Sequence, residues 1–404
     1  MSRTKLIEMA KHMMALSAED RVEQAPDVLR VPARHYLDEE RAKLEREKIF
    51  KRVPLMLAAS CELPKAGDYK ACEPVGVPVL IVRGQDGTAR AFLNSCSHRG
   101  AQLVTETCGN AKRLTCPYHA WTFDLQGTLV GVFQEKDFGA VDRATHGLVP
   151  LPVLERAGLI WVVLDRNSKL SIENFLCGYD QMLENFGFES WYFFSRRTLK
   201  GPNWKIAYDG YLDLYHLPIL HKNTFGTEIP NRALYYPWGP HQRVGAIGRT
   251  GPTRVDAGGA TAAVPGADVK PPEQWPDAAL MSGVWTIFPH ISIASFDAGG
   301  RGVMLSQLFP GESALESYTV QNYLMEKPPS EEQREAAHKM FEMLEFVVRE
   351  EDYATGLRQQ RALQSGARSH VLFGRNEGGG QRFHGYTDRL IAMSDDELCR
   401  EFGG

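Results

Sequence analysis

The sequence predicts a two-domain α+β protein: a small all-β domain, then a larger domain built on an antiparallel sheet with helices packed over it. Three observations carry this. The chain has 404 residues, more than one ordinary core organises. Between 51 and 165, short β-branched and aromatic runs recur between turn signals. From 166 onward, helical periodicity and strand-like runs are mixed. The domains are therefore expected at 45–165 and 166–404, with helices of 1–44 packing on the second.

Residues 1–50 read as helical; from Ala42 to Phe50 the charges alternate, with Leu44, Ile49 and Phe50 the apolar positions. In the β domain the runs are Val79 to Val82, Ala91 to Leu93, Trp121 to Phe123 and Leu159 to Val163, divided by turns such as Asp86-Gly87 and Gln126-Gly127. In the second domain Leu176 to Phe188 and Asn203 to His216 have helical character. Val284 to Phe288, Ile291 to Phe296, Val303 to Phe309 and Ser317 to Leu324 read as strands. Ser330-Glu331-Glu332-Gln333 is a capping box that opens a helix running to about Arg358. Ala337, Phe341, Leu344 and Val348 form its inward stripe, which Asp352 continues. The Gly-, Ala- and Pro-rich stretch from Gly245 to Pro276 reads as a long loop, placed to cover a pocket mouth.

A hydrophobic content of 43% with 24% charged residues excludes a disordered or fibrous chain. A net charge of −4 gives no electrostatic footprint for nucleic acid. No run reaches membrane-spanning length, and the N-terminus lacks the apolar core of a signal peptide. The seven cysteines are an odd number spread over a large chain, which fits free or metal-bound thiols in a reducing cytoplasm better than a disulfide framework.

Two constellations carry chemistry. Cys96-Ser97-His98 is followed, after a gap of seventeen residues, by Cys116-Pro117-Tyr118-His119. Two thiolates and two imidazoles can hold a 2Fe–2S cluster with both His on one iron, or a structural Zn²⁺. The second constellation is Asp209, Asp213, His216 and His221. On a helix over 203–216 the first three share one face, and Pro218 lets the chain turn so that both His reach one ion. Asp352 is the candidate third ligand, with Glu351 its nearest competitor. Two His and one carboxylate make the facial triad that leaves open positions on non-haem Fe(II).

With these motifs in place, the chain resembles the α subunit of the Rieske non-haem iron oxygenases, the bacterial aromatic-ring-hydroxylating enzymes. The motifs are the Cys-x-His and Cys-x-x-His pair, Asp-x-x-His-x-x-x-x-His, and a downstream Asp with Gln360 eight residues after it. The resemblance implies a Rieske domain followed by a helix-grip catalytic domain. Cys96, His98, Cys116 and His119 would hold the cluster, and His216, His221 and Asp352 the mononuclear iron. Asp213 would be the aspartate that joins a cluster His of one subunit to an iron-ligand His of the next. It further implies a homotrimer or a hetero-hexamer with β subunits. Electrons would come from NAD(P)H through a separate reductase, with or without a ferredoxin, and O₂ would be the co-substrate. The substrate would be a small aromatic or related apolar ring. Asp209 departs from the Asn often found four residues before the bridging carboxylate. Ala101 and Tyr118 stand where respiratory Rieske proteins carry a second pair of Cys.

The pocket wall is expected at Phe225, Trp285, Phe288, His290, Phe296 and Leu305. Two rivals remain in view: an electron carrier with the cluster alone, which leaves the second domain without a role, and a zinc-stabilised binding module.

Overall fold

In the second domain the inner strands are largely buried on both faces, so their runs are continuously apolar or carry paired polar side chains. A computed structural model describes residues 2–226, 233–245, 253–255, 261–263 and 270–403. It divides into two units: Met1–Ile49 with Leu176–Ser394, and Phe50–Phe175 with Asp395–Gly404. The expected boundaries of 45–165 and 166–404 thus shift, and the last ten residues go with the β unit. The cause is local. Leu170 bridges Gly403, Ser171 N–H donates to Phe402 O (2.8 Å), and the Phe175 and Phe402 rings pack edge to face.

The β unit holds a five-stranded antiparallel sheet in the order Pro150–Leu151, Ala89–Leu93, Val79–Arg83, Asp68–Cys72, Cys108–Asn110. Two three-stranded sheets accompany it. One comprises Leu55–Ala59, Leu159–Val162 and Val153–Arg156; the other comprises Leu114–Thr115, Thr122–Phe123 and Leu129–Gly131. Its core joins Leu80, Val82, Phe92, Phe123 and Trp121 to Cys96 and Cys116, so both cysteine loops are anchored in one apolar cluster.

The other unit is built on a seven-stranded antiparallel sheet. The order is Tyr192–Gly201, Ser317–Met325, Arg301–Pro310, Ile291–Asp297, Val284–Ile287, His241–Gly245, Leu234–Trp238. The four strands expected from sequence are present; the first and the last two carry mixed polar runs that hid their alternation. The capping box forms as expected, with Ser330 accepting from Gln333 N–H, and opens Glu331–Phe346. Ala337, Phe341, Leu344 and Val348 are all buried. Each large apolar side chain in such a stripe contributes about 1.5–3 kcal/mol. The helix passes into a π-helical turn, Val347–Tyr353, then continues as Ala354–Gln364.

Three expectations are corrected. The helix over 203–216 is only Trp204–Asp209. The stretch 176–188 breaks at Cys177 and Gly178, both at positive φ, into short turns of helix. Residues 1–50 are not all helical: after the helix Ser2–Ala18, the strand Leu29–Pro32 pairs with His370–Phe373. The Gly245–Pro276 stretch lies mostly outside the described residues; within it Thr253–Val255 pairs with Thr261–Ala263.

Candidate metal centres

The two cysteine loops are built alike. Cys96 N–H donates to Ala101 O and Gly100 N–H to Cys96 O. Cys116 N–H donates to Trp121 O and Ala120 N–H to Cys116 O. Four residues after each Cys the backbone turns left-handed, at Gly100 (φ 76°) and Ala120 (φ 53°). Asn94 clamps the first loop from behind, its amide donating to Val104 O and accepting from Leu103 and Val104 N–H.

Within these loops the donors fall in like pairs. The two cysteines are buried side by side, and burial pushes the Cys96 thiol up. The His98 and His119 rings lie 4.8 Å apart, centroid to centroid, with Trp121 stacked on His98. His119 Nδ1 is buried with no partner among the described residues. A single Zn²⁺ would draw all four donors to within roughly 4 Å of one another. Among the described residues, only His216, His221 and Asp352 form a group of three or more His, Cys, Asp or Glu ligand atoms within 4.8 Å of each other. Paired thiols and paired imidazoles that do not converge on one point suit a two-iron cluster.

In the other unit the helix Trp204–Asp209 ends because Asp213 competes for the backbone. Its Oδ1 accepts from Tyr215 N–H (2.7 Å) and His216 N–H (3.1 Å), closing a turn. The same oxygen lies 2.9 Å from His216 Nδ1. Pro218 then sits in the first turn of a one-turn helix, Leu217–Leu220, whose ends are His216 and His221. Pro218 starts this turn rather than breaking one, since its missing N–H is an orphan there anyway. The two imidazoles thereby face Asp352, at 3.7 Å from His216 Nε2 and 3.1 Å from His221 Nε2 to Oδ1.

Asp352 and Glu351 are adjacent in sequence yet take different jobs, because the π turn widens the helix at this point. Glu351 Oε2 lies 2.7 Å from His221 Nδ1, and Thr224 Oγ1 donates to Glu351 Oε1 (2.8 Å). Each His thus has a carboxylate on Nδ1, which sets the tautomer and aims Nε2 inward. Burial pulls the His221 imidazole down, but Asp352 and Glu351 together carry it above its ordinary value.

Asp209 does not share a face with Asp213. Its Oδ2 accepts from the Tyr36 hydroxyl (2.9 Å) and its Oδ1 from His384 Nε2 (2.9 Å). These two donors satisfy the charge that the sequence left without a partner. Neither residue carried a signal that would have found it, since one is 173 and the other 175 positions away.

The expected pocket residues separate. Phe225 packs against the His221 ring at 5.2 Å. Phe296 joins Met304, Tyr323 and Phe341 on the sheet face under the capped helix. Strand alternation puts Trp285 and Leu305 on the opposite face, where Trp285 meets Tyr179, Phe186 and Trp238. Phe288 packs on Phe383 and Tyr386, and His290 on Phe309. The face toward the capped helix instead carries a polar row in one register, Arg197, Gln321, Ser306, Ser292, Thr286 and Gln242. From Gln321 to Gln242 these side chains are only 1–3% exposed.

Residues 188–393 match the family model "Ring hydroxylating alpha subunit (catalytic domain)", and residues 53–144 match "Rieske [2Fe-2S] domain". The carnitine monooxygenase oxygenase subunit of Escherichia coli (strain K12) is 37% identical over 195 residues, covering 47% of this chain and 52% of that protein. The glycine betaine monooxygenase oxygenase subunit of Chromohalobacter salexigens is 32% identical over 201 residues, covering 49% and 44%. The chain thus spans about half the length of the relatives it matches. Among solved structures, the quaternary ammonium Rieske monooxygenase CntA with L-carnitine superposes at TM-score 0.74, with 23% identity, 91% of this chain and 97% of that one. Naphthalene 1,2-dioxygenase from Rhodococcus sp. bound to indole gives 0.73, with 20% identity, 97% and 99%. At these identities the superpositions establish the fold. A Rieske domain is followed here by a catalytic domain whose model covers half of the chain. The protein therefore belongs to the Rieske non-haem iron oxygenase α subunits, whose cofactors are a 2Fe–2S cluster and a mononuclear iron, with O₂ as co-substrate.

Proposed function

We propose that this chain is the terminal oxygenase of a multicomponent system, and that its substrate is a small quaternary ammonium compound rather than an aromatic hydrocarbon. Cys96, His98, Cys116 and His119 hold the cluster; His216, His221 and Asp352 hold the iron. The observation that carries the oxygenase reading is the convergence of two imidazoles and one carboxylate within 4.8 Å, in the domain after the cluster domain. For the substrate, support comes from the relatives named for carnitine and glycine betaine. A separate reductase, with or without a ferredoxin, supplies electrons, and Asp213 joins the iron site of one subunit to the cluster of its neighbour in a trimer.

The bound cluster supplies single electrons, and the bound iron supplies the site where O₂ is reduced. The chain's own residues do the rest. Asp213 and Glu351 hold the His216 and His221 rings with Nε2 facing inward. Burial of His221, 2% exposed at its side chain, keeps water from that ligand. Burial holds the Cys96 thiol up, and that thiol would have to give up its proton to hold the cluster. Asp213 is the acceptor through which the His216 ring is tied to the backbone turn.

The test is oxygen uptake by the loaded oxygenase with a reductase, against glycine betaine, carnitine, choline and naphthalene. Uptake coupled to release of an amine or aldehyde from a trimethylammonium compound is expected. Uptake with a hydroxylated ring as the sole product overturns the substrate reading, and three rather than two irons per chain separates an oxygenase from a carrier.

A further inference from the structure

One end of the polar row presents donors without acceptors. Arg197 Nε donates to Gln321 Oε1 (2.7 Å), and a guanidinium cannot accept, so the amide oxygen of Gln321 is fixed toward Arg197. Gln321 Nε2, with its two N–H groups, therefore points the other way. It is buried in a side chain 1% exposed, and among the described residues nothing accepts from it. Arg197 Nη2 is likewise buried and without a partner among the described residues. The Tyr211 hydroxyl is enclosed beside Gln321, Ser306 and Tyr353, yet makes no hydrogen bond of good geometry. Tyr211 also lies within electrostatic reach of both Asp352 and Arg197.

The rest of the Arg197 guanidinium is immobilised. Nη1 donates to Phe341 O (2.5 Å) and lies 3.4 Å from Glu345 Oε2, and the plane stacks on the Phe341 ring at 3.7 Å. Glu345 thus engages the side of the fork away from Nη2. The Gln321 amide lies against the Tyr211 phenol, with the Arg197 cation on the far side of the same amide, and their buried N–H and O–H groups suit a ligand that only accepts. An unmet buried donor is costly, which favours such a ligand here.

We propose that Arg197, Gln321 and Tyr211 form an anion subsite of the substrate pocket, and that it takes the carboxylate of a small trimethylammonium carboxylate. This rests on the quaternary ammonium reading above and extends it to the other end of the same molecule. The subsite sets specificity: the carboxylate engages the donors, and the carbon beside nitrogen is left toward His216, His221 and Asp352.

The test is equilibrium binding, by anaerobic calorimetry on the fully loaded oxygenase, of three ligands. Glycine betaine has both charges, choline has the cation with an alcohol, and 3,3-dimethylbutanoate has the carboxylate on a neutral carbon of the same shape. The parent should bind glycine betaine about tenfold or more tighter than choline, the range set by charge-assisted hydrogen bonds. Gln321→Glu keeps an oxygen for Arg197 and replaces the amide donors with a negative charge. It should weaken glycine betaine about tenfold or more and leave choline bound as before, with iron content and cluster absorption unchanged. Tyr211→Phe should weaken glycine betaine alone, and serves if Gln321→Glu fails to fold. Equal affinity of the parent for glycine betaine and choline, or an unchanged glycine betaine affinity in both variants, overturns the subsite and assigns these donors to ordered water. That result leaves the quaternary ammonium reading intact. Tight binding of 3,3-dimethylbutanoate, lost in Gln321→Glu, would instead keep the subsite and remove the quaternary ammonium.

Discussion

Glu351 touches no metal position, yet iron retention should depend on it. Its Oε2 accepts the Nδ1 proton of His221 at 2.7 Å, and Thr224 Oγ1 holds its other oxygen at 2.8 Å. The side chain is 15% exposed and His221 only 2%, so solvent weakens this charge-assisted bond little. Such a bond is worth about 1.5–3 kcal/mol, which is roughly a 10- to 150-fold change in an equilibrium constant. Outer partners of metal-bound imidazoles act over a similar range, about 10- to 100-fold in metal affinity. Glu351→Leu should therefore weaken Fe(II) binding by about that range. Glu351→Gln, which keeps an acceptor but loses the charge, should weaken it less, and Thr224→Val only a few-fold. The assay is competition for Fe(II) with a calibrated chelator, and the visible absorption of the cluster is the internal control. Iron affinity of Glu351→Leu equal to the parent's would refute the argument that this carboxylate orients His221.

Asp213→Asn should keep both the cluster and the iron, because the amide oxygen can still accept from Tyr215 and His216 N–H, yet turnover should vanish; metal analysis beside oxygen uptake decides. Asp209→Asn must turn an N–H₂ group toward either Tyr36 or His384, both donors now, and should cost about 1–3 kcal/mol of stability with iron retained, read by denaturant titration. Gly379→Ala would put a Cβ 2.5 Å from Leu212 O and from the Tyr235 ring, so melting should fall by the equivalent of about 1–3 kcal/mol and iron binding with it, since Leu212 leads into the Asp213 turn. Burial alone pulls the His290 imidazole down to about 3, so it stays neutral in the fold but takes a proton in the unfolded chain below about 6.5. The stability it contributes is therefore complete above about pH 6.5 and is lost as pH falls toward 3, at up to about 1.4 kcal/mol per pH unit. His290→Phe should flatten the pH dependence of the denaturation midpoint between pH 7 and 5; an equally steep slope in the variant counts against it.

The strands from 284 to 325 were legible because they are buried on both faces, and burial selects β-branched and aromatic runs whatever their partners. The candidate donors of both centres stood out in the sequence for a related reason. Thiolate, imidazole and carboxylate are the groups that take these metals, and each pair comes from a short local turn. Legibility stopped where geometry departs from a regular period. A straight helix over 203–216 puts Asp209 and Asp213 on one face. In the fold Asp213 accepts backbone N–H groups, ends the helical pattern, and leaves Asp209 to partners far away in sequence. Alternation also divides the expected pocket residues: Trp285 and Leu305 look as apolar as Phe296, but only knowledge of which face meets the capped helix separates them.

The adjacent carboxylates Glu351 and Asp352 show the same limit from the other side. On an α-helix neighbours diverge by about 100°, so only one of them can look at a given ion, and sequence reasoning must choose. The π turn Val347–Tyr353 removes the need to choose, because both carboxylates reach the same imidazole, one at Nδ1 and the other at Nε2. Val347–Tyr353 contains no Pro or Gly, so no residue marks the turn in advance. It is held by what it touches: Tyr353 OH bonds Thr319 Oγ1 on the sheet, and Glu351 is tied to His221 and Thr224. The helix is wound wider here because its side chains are fixed at both sides, so Asp352 reaches the His pair only through contacts that the linear pattern does not contain.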